Sequence, residues 1–476
     1  MKKRITALFL ALLLIVSLVP ASSAQSEKTY FYVDSIAGND SNDGKTPETA
    51  FATLKRAFSM KFEPGYQILF RRGGTYIGGG SSCGAYISSS GTADNPIVVG
   101  AYGEGANPVI TTPIEEENVF VMSGSYISIS GLDFTAPKGC GVFITAFNGQ
   151  DVVGISIDSC RMYDISDSTK VESGLGHGGL RVSCDYTARV HDCSFTNLEI
   201  FNCHYGINTF GTAYEFATEY YVSPEKSYHY NLLFDNLYIH DIIADGMSLG
   251  ALYNSTVRNS RLINTAGNIP HAVAPLWLHG CDHVMIEYCE IAGSKNLIDG
   301  MAIDFDGWTT NCTYRYIYSH DNNRFMRNCL YDNTTKNRGN TVDHCLSVND
   351  NRFPNSAALI LQNTGTLKLT FPFDVGLIMD RFTFTNNVII GSAPFLFVNL
   401  TNANISNNTF VGKSIVSLAA SMPFSILSGF CRGTVSNNTY CNFAPIMKGC
   451  GNHYTFSPVT AADAFAALFP NGVHTA

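Results

Sequence analysis

Three aspartates lie within one ten-residue segment of the chain. This segment begins at Asp299 and reads Asp-Gly-Met-Ala-Ile-Asp-Phe-Asp-Gly-Trp. Asp304 and Asp306 alternate with the apolar Ile303 and Phe305, as in a short β-strand with one polar face. Side chains two apart on a strand point the same way, and their Cα atoms are about 6.5–7 Å apart. Two such carboxyl groups can reach the separation of about 5–9 Å that glycosidases use. Asp299, Asp304 and Asp306 are therefore the candidate catalytic residues; the alternative is a solvated turn built on Asp-Gly.

A second segment has the same local pattern as the first. Residues 244–249 read Ala-Asp-Gly-Met-Ser-Leu, and residues 298–303 read Ile-Asp-Gly-Met-Ala-Ile. This similarity predicts that Asp245 and Asp299 occupy equivalent positions in two structural repeats. Asp245 is accordingly a candidate substrate-binding residue.

Aromatic side chains accompany these acids, and they include both tryptophans of the protein. In Pro-Leu-Trp-Leu-His-Gly, at residues 275–280, the alternation predicts that Trp277 and His279 point outward. His279 is then one strand, about 4.8 Å, from Asp304 or Asp306, depending on the register. A neighbouring histidine can set the protonation of a carboxyl group or bind a substrate hydroxyl. Trp277 and Trp308 are candidates for stacking against sugar rings, and burial in a core is the alternative.

Two arginines recur at a matching place in successive segments. His-Asp-Asn-Asn-Arg-Phe ends at residue 325, and Val-Asn-Asp-Asn-Arg-Phe ends at residue 353, a step of 28. Arg324 and Arg352 are thus predicted to lie in neighbouring repeats. They are candidates for binding substrate oxygens or a carboxylate, and ion pairing with loop aspartates is the structural alternative.

Short phrases of an apolar residue, two polar ones and then Cys, Asn or Ser recur along the chain. Several are 21–33 residues apart, which indicates a solenoid. Asn-Asn pairs predict turn ladders, since asparagine tolerates left-handed backbone geometry. With no long helical periodicity, the predicted fold is all-β, a right-handed parallel β-helix. The apolar positions that lead the phrases are Ile157, Val190, Val257, Ile286, Tyr314, Val342, Phe384, Ile405 and Val435.

Both ends of the solenoid are predicted to carry helices. Thr46 and Pro47 predict a helix from there to Phe58, with threonine as its cap and proline in its first turn, closing one end of the core. Residues 461–469 predict a short apolar helix at the other end. The predicted divisions are an export signal at 1–24, an N-terminal cap and first coils at 25–110, a β-helix catalytic domain at 111–455 and a C-terminal cap at 456–476.

The first 24 residues have the layout of a secretory signal: three basic residues, an apolar run and a small-residue cleavage site. That run is too short for a membrane span, and no later segment has about 20 consecutive apolar residues. We therefore expect a secreted, extracellular protein. A net charge of −9 without a basic cluster argues against nucleic acid as a partner. The expected partner is a carbohydrate substrate, and the expected state is a monomer.

Fourteen cysteines in an exported chain would ordinarily indicate disulfides. Four of them instead end the repeated phrases: Cys160, Cys193, Cys289 and Cys345. Residues that recur at one place in a solenoid stack on one another, so mostly free, buried thiols are expected. No spacing matches a CxxC zinc pair, and no metal is predicted on this reading.

These features resemble the right-handed parallel β-helix proteins of the pectin-lyase-like superfamily. The resemblance spans nearly all of the chain after the signal, from the residues Tyr-Val-Asp at 32–34 to the last Asn-Asn pair at 437–438. The run from Asp299 to Asp306 looks most like β-helical glycoside hydrolases related to the lacto-N-biosidase family. In that family two aspartates seven residues apart form the catalytic pair, and Asp299 and Asp306 have this spacing, 306 − 299 = 7. The resemblance implies a hydrolase without a cofactor.

Two other functions fit the same resemblance. A polysaccharide lyase would use calcium to neutralise a uronate, with the aspartates as ligands and Lys295, Arg324 or Arg352 as the base. A non-catalytic carbohydrate-binding surface protein would use the acids only as turns. Calcium dependence and a substrate range limited to uronates would indicate the lyase.

Overall fold

The structure is a computed structural model. It describes residues 28–80, 83–115, 117–166, 177–185, 187–210, 229–328, 337–350, 359–361, 379–391, 395–397, 400–412, 433–441, 453–455 and 459–473. The predicted export signal and Arg352 lie outside the described residues. Within the described part, no helix is long and apolar enough to cross a membrane.

Almost every described element is a β-strand. The strands of the first half are β1 (Thr29–Val33), β2 (Tyr66–Arg71), β3 (Thr75–Ile77), β4 (Cys83–Ile87), β5 (Ile97–Tyr102), β6 (Val109–Thr111), β7 (Asn118–Met122), β8 (Ile127–Ser130), β9 (Asp133–Thr135), β10 (Cys140–Ala146), β11 (Val152–Val153), β12 (Ser156–Asp158), β13 (Arg161–Tyr163), β14 (Gly178–Cys184), β15 (Val190–Thr196), β16 (Glu199–Phe201), β17 (Tyr205–Asn208), β18 (His229–Asp235), β19 (Tyr238–His240), β20 (Met247–Gly250) and β21 (Leu252–Tyr253). Those of the second half are β22 (Thr256–Arg258), β23 (Arg261–Ile263), β24 (Leu276–His279), β25 (Met285–Ala292), β26 (Met301–Phe305), β27 (Thr313–His320), β28 (Arg324–Asn328), β29 (Asn337–Arg338), β30 (Thr341–Asp343), β31 (Leu346–Val348), β32 (Leu359–Leu361), β33 (Met379–Asp380), β34 (Thr383–Thr385), β35 (Val388–Gly391), β36 (Phe395–Phe397), β37 (Leu400–Thr401), β38 (Ala403–Ser406), β39 (Thr409–Gly412), β40 (Gly433–Ser436), β41 (Thr439–Cys441) and β42 (His453–Thr455).

The strands of the described residues form a parallel β-helix, as predicted. One sheet has 28 strands, a second has 11 and a third has 3. In the 11-stranded sheet the order from β4 to β36 follows the order of the chain, so each coil adds one strand beside the previous one. We call this sheet the site sheet, because it carries the candidate residues. All of its pairings are parallel, for example β24 with β26 and β26 with β28.

The predicted repeat positions form one inward row of the large sheet, with one exception. Phe195, and not Val190, pairs with Ile157. Val190 pairs instead with Val152, five residues earlier in the coil. The prediction for Val190 is wrong because each coil contains two bends of the same local kind, and the phrase fits both. The row itself consists of Ile129, Ile157, Phe195, Phe234, Val257, Ile286, Tyr314, Val342, Phe384, Ile405 and Val435.

Cysteines at the bends are free thiols, as predicted. Cys160 and Cys193 each direct the sulfur to the carbonyl oxygen two residues earlier, at 3.3 and 3.2 Å. Cys193 lies at the other bend and does not stack with Cys160, Cys289 and Cys345. All eleven cysteines of the described residues are free, and ten of them are buried. Burial raises the pKa of most of these thiols, for example that of Cys289 to about 12, which keeps them protonated.

Asparagines hold successive coils together at the bend. Asn386 has φ of 57°, in the left-handed region, and the following Asn387 turns inward. Asn387 accepts a hydrogen bond from the Cys345 amide at 2.8 Å and donates to the Val342 carbonyl at 3.0 Å. The backbone N–H of Asn387 also donates to the Asn408 side-chain oxygen at 2.9 Å. The predicted asparagine ladder therefore joins neighbouring coils through buried side-chain amides.

The predicted N-terminal helix is two short helices. A 3₁₀ helix covers Pro47–Thr49 with Thr46 as its cap, and helix α1 covers Leu54–Ala57. Between them Phe51 is extended, pairs with Val33 and is buried. A continuous helix is excluded because the extended Phe51 backbone hydrogen-bonds to the chain at β1. Its role as an end cap is not confirmed.

The C-terminal helix α2 (Ala461–Leu468) forms where predicted. It packs against the outer side of the large sheet, with the Phe465 ring 4.9 Å from that of Tyr318 and with Ala464 beside Leu346. The helix thus covers outward apolar side chains of β27 and β31. This sideways packing does not confirm the predicted role of α2 as a cap on the end of the core.

Replacing Asn387 by alanine should destabilise the protein by about 2–3 kcal/mol, because buried backbone groups of two coils lose their partners. Chemical denaturation measures this difference. The control is Asn404→Ala, whose exposed side chain lies on β38 and should cost less than about 0.5 kcal/mol. Equal effects of the two substitutions would contradict the ladder.

Candidate active site

Strands β24, β26 and β28 place the predicted side chains on the outer face of the site sheet. Leu278 and Phe305 are paired in register and fully buried in the core. Trp277 is paired with Asp304 one residue earlier, on the opposite, outward face. The prediction that the acids and the aromatic residues share one face is confirmed, because the two-residue period of a strand determines the side of each chain.

Asp306 follows β26 directly and lies next to His279. The His279 Nδ1 atom is 3.4 Å from Asp306 Oδ2, so the register selects Asp306, and not Asp304, as the partner of this histidine. Asp304 and Asp306 are only 5% and 6% exposed. The Thr309 hydroxyl donates to the Asp306 carbonyl at 2.7 Å and fixes the turn after the strand.

Aromatic rings surround His279 on this face. The Trp308 ring centroid is 5.5 Å from that of His279, and Trp277 is 6.5 Å from it. Phe210 contacts Trp277 at 5.1 Å and lies over Gly250, where an added Cβ would be 2.4 Å from the Phe210 ring. Trp277 and Trp308 are each partly exposed. The two tryptophans therefore present apolar surface beside the carboxylates.

Asn296 shapes the loop that carries Asp299. Its buried side chain accepts hydrogen bonds from the amides of Ile298 and Asp299 at 3.0 and 2.9 Å. Its amide group donates to three carbonyl oxygens of the loop at residues 267–271. Gly300 then turns with φ of 57°, and a Cβ there would be 2.2 Å from the Asn296 carbonyl oxygen. This turn requires glycine and directs Asp299 towards β28.

Arg327 pairs with the Asp299 carboxylate. Burial raises the pKa of Asp299 above its ordinary value, the Arg327 guanidinium opposes this, and the nearby Asp306 charge raises it further. Arg327 is also in register with Asp304 on the neighbouring strand. The Arg327 guanidinium therefore lies among acidic side chains of the loop and the strand.

Asp245 lies close enough to Asp299 for the two carboxyl groups to interact electrostatically. Strand pairing aligns Met247 with Leu276 and Leu276 with Ile303, so Asp245 aligns with Met301. The predicted equivalence with Asp299 is wrong by two residues, because the turn at Gly300 begins two positions earlier in its coil. Asp245 is 4% exposed and accepts a hydrogen bond from the Ala274 amide at 2.7 Å. Burial raises its pKa to about 7, with a further contribution from the Asp299 charge.

The two predicted arginines have different outcomes. Arg324 donates to the backbone carbonyls of Ile298 and Asp299 at 2.9 and 2.6 Å, so it supports the loop of Asp299. Arg352 lies outside the described residues. Sequence reasoning missed Arg327, although it follows Asp299 by 28 residues, the same step as between neighbouring repeats. That step was the signal for it.

The carboxyl groups of this site can transfer protons. Among the described residues, no group of three or more His, Cys, Asp or Glu is arranged to hold a metal ion. Lys295, one of the three candidate bases of the lyase alternative, is exposed on the loop before Asp299. The calcium requirement of that alternative stays a prediction. Carboxyl groups with raised pKa next to another carboxylate are the usual setting of general acid catalysis.

The architecture and this face define a parallel β-helix protein with an acidic, aromatic-lined site. No family model matches the chain, and no curated protein matches it. Among solved structures, it is similar to a GH136 lacto-N-biosidase from Eubacterium ramulus, at 18% identity and a TM-score of 0.55, over 90% of this chain and 68% of that one. It is also similar to the Dettilon tailspike protein, at 9% identity and a TM-score of 0.51, over 92% and 72% of the two chains. A third match is an alginate lyase from a Paenibacillus species, at 15% identity and a TM-score of 0.43, over 76% and 96%. The first two matches confirm the resemblance noted in the sequence at the level of the fold.

The raised pKa of Asp245 predicts a pH-dependent stability. The folded protein holds this proton more tightly than the unfolded chain, whose aspartates titrate near pH 3.9. The stabilisation is complete below that value and is lost as the pH rises through about 7. Relative to Asp245→Asn, the free energy of unfolding of the wild type should fall by up to about 1 kcal/mol per pH unit between these limits. Urea unfolding at several pH values measures this difference; one that stays constant with pH would contradict the assignment.

Proposed function

We propose that the protein is a glycoside hydrolase that cleaves an oligo- or polysaccharide, with Asp299 and Asp306 as its catalytic pair. The observation that supports this most is the electrostatic coupling of the two groups: Asp306 raises the pKa of the partly buried Asp299. Two neighbouring carboxyl groups, of which Asp299 has a raised pKa, match the acid and the nucleophile or base of glycoside hydrolysis.

Asp299 takes the role of general acid in this proposal. Its raised pKa favours the protonated form, which donates the proton to the glycosidic oxygen as the bond to the anomeric carbon breaks. Asp306, next to His279, acts as the nucleophile or activates the attacking water. The separation of the two groups in the substrate complex decides between retention and inversion.

The surrounding residues bind the sugar. Trp277 and Trp308 supply apolar ring faces for stacking, and His279 and Asp304 supply hydrogen-bonding groups. Asp245, whose pKa is raised by burial to about 7, lies at the edge of the site, and Arg324 holds the loop of Asp299. The fold shared with the lacto-N-biosidase of Eubacterium ramulus is consistent with this role. The secretory layout of residues 1–24 suggests that the enzyme acts outside the cell.

The test is turnover of a panel of neutral and uronate glycans, following reducing ends and the absorbance of unsaturated products. We expect new reducing ends without unsaturation, and a loss of at least about 100-fold in kcat/KM in Asp299→Asn and in Asp306→Asn. The control is Asp241→Asn, an exposed aspartate on the outer side of the large sheet. Its activity should equal that of the wild type.

Two results would overturn the hydrolase. Unsaturated products that disappear with a chelator would indicate the lyase. Binding of glycans without any product after long incubation would indicate the non-catalytic surface protein.

A further inference from the structure

The outward face of the site sheet continues beyond the carboxylates towards the N-terminal coils. Strand pairing places one outward side chain per coil in a single row across the strands. From the N-terminal side this row is Phe143, Arg181, Asn208, Ser248, Trp277 and Asp304. A chain bound at Asp304 and lying across the strands would therefore pass over these side chains in turn.

Some polar atoms on β14 and β17 have no hydrogen-bond partner among the described residues. They are the Ser183 hydroxyl, the Asn208 side-chain nitrogen and Arg181 Nε. Ser183 and Asn208 are 0% and 3% exposed, yet both are on the outward face. Buried polar atoms nearly always have hydrogen-bond partners in native proteins. A cluster of buried polar atoms without such partners therefore indicates that a bound molecule supplies them.

The neighbouring contacts hold these groups in place. Asn208 accepts a hydrogen bond from the Phe210 amide at 2.9 Å, which leaves its N–H groups for another partner. The Arg181 guanidinium lies over the Phe143 ring, 5.2 Å from the ring centroid. Phe210, packed over Gly250, fills the second outward row between Ser183 and His279. Donors and aromatic side chains therefore lie next to one another across the strands.

We propose that Arg181, Ser183 and Asn208 form distal sugar subsites, so that the substrate is an oligosaccharide of at least four units lying across the strands. This inference rests on the proposed function and extends it. Asn208 is three strand steps from Asp304 and Arg181 is four, about 14 and 19 Å at about 4.8 Å per step. One strand step is comparable to the length of one sugar unit along a glycan.

The chemistry of these groups selects a sugar. Amide, hydroxyl and guanidinium donors bind hydroxyl and ring oxygens, and the guanidinium also suits a carboxylate. Aromatic rings between the donors suit the apolar faces of sugar rings. Arg181 is the one cationic residue of these proposed subsites, and the protein has a net charge of −9. The substrate therefore does not need to be a polyanionic glycan.

The experiment measures how affinity depends on chain length. The protein is Asp306→Asn, and the probes are series of neutral oligosaccharides of two to six hexose units with different linkages, measured by isothermal titration calorimetry. In the series that binds best, affinity should rise between two and four or more units. Ser183→Ala and Asn208→Ala, each added to Asp306→Asn, should remove about tenfold of the affinity for four or more units and leave that for two units within about twofold. The control is Ser156→Ala on the outer face of the large sheet.

Each outcome decides the proposal. The Ser183 hydroxyl makes no hydrogen bond within the described part of the chain, so its substitution tests binding even if Asn208→Ala is destabilised. Affinity that stops rising at two units, equal loss at all lengths, or no binding of any probe would overturn the subsites. The wild-type protein is tested for turnover of the same probes. Length-dependent binding without turnover would keep the subsites and reject the hydrolase, whereas turnover without length dependence would do the reverse.

Discussion

The register between neighbouring coils is the constraint on which the rest of the structure depends. Parallel strands about 4.8 Å apart repeat the same lateral position from coil to coil, so residues distant in sequence become neighbours in a row. At the bend, buried asparagines such as Asn387 and Asn408 tie the backbone of one coil to the next. On the opposite sheet the same register places Trp277 beside Asp304, and His279 next to Asp306. Shifting one coil by a residue would move the outward groups of that coil into the core.

Burying several acids on one face is costly, and the structure offsets that cost only in part. Arg327 pairs with Asp299, and His279 lies next to Asp306. Asp245 receives one backbone hydrogen bond, and its pKa moves to about 7. A fold under selection for stability alone would keep such groups in water, since buried ionisable groups seldom add net stability. Their concentration at one place on the site sheet, with a raised pKa for Asp245 and for Asp299, is typical of a functional site.

The sequence predicted the fold and the face of the site because both follow from local periodicity. Alternation of apolar and polar residues assigned Asp304, Asp306, Trp277 and His279 to the outward side correctly. Register depends on loops and turns that leave no periodic trace. Asp245 was therefore misaligned with Asp299 by two residues.

Two further errors have related causes. Val190 was placed in the wrong row because both bends of a coil use the same phrase. The predicted helix over residues 46–58 failed because burial of Phe51 outweighs local helix signals. The 28-residue spacing from Asp299 could have indicated Arg327 as its neighbour in the next coil. Only the structure shows that the loop shaped by Asn296 turns Asp299 towards Arg327.

The most direct test of the account is the pH dependence of kcat/KM in the wild type and in Arg327→Met. If Asp299 is the general acid, activity falls as the pH rises through its pKa, and Arg327 lowers that pKa. Removing the guanidinium should move the alkaline limb of the profile to higher pH, and Arg327→Lys, which keeps the charge, should leave it near that of the wild type. An alkaline limb that stays in place or moves to lower pH in Arg327→Met would contradict the assignment of Asp299 as the acid.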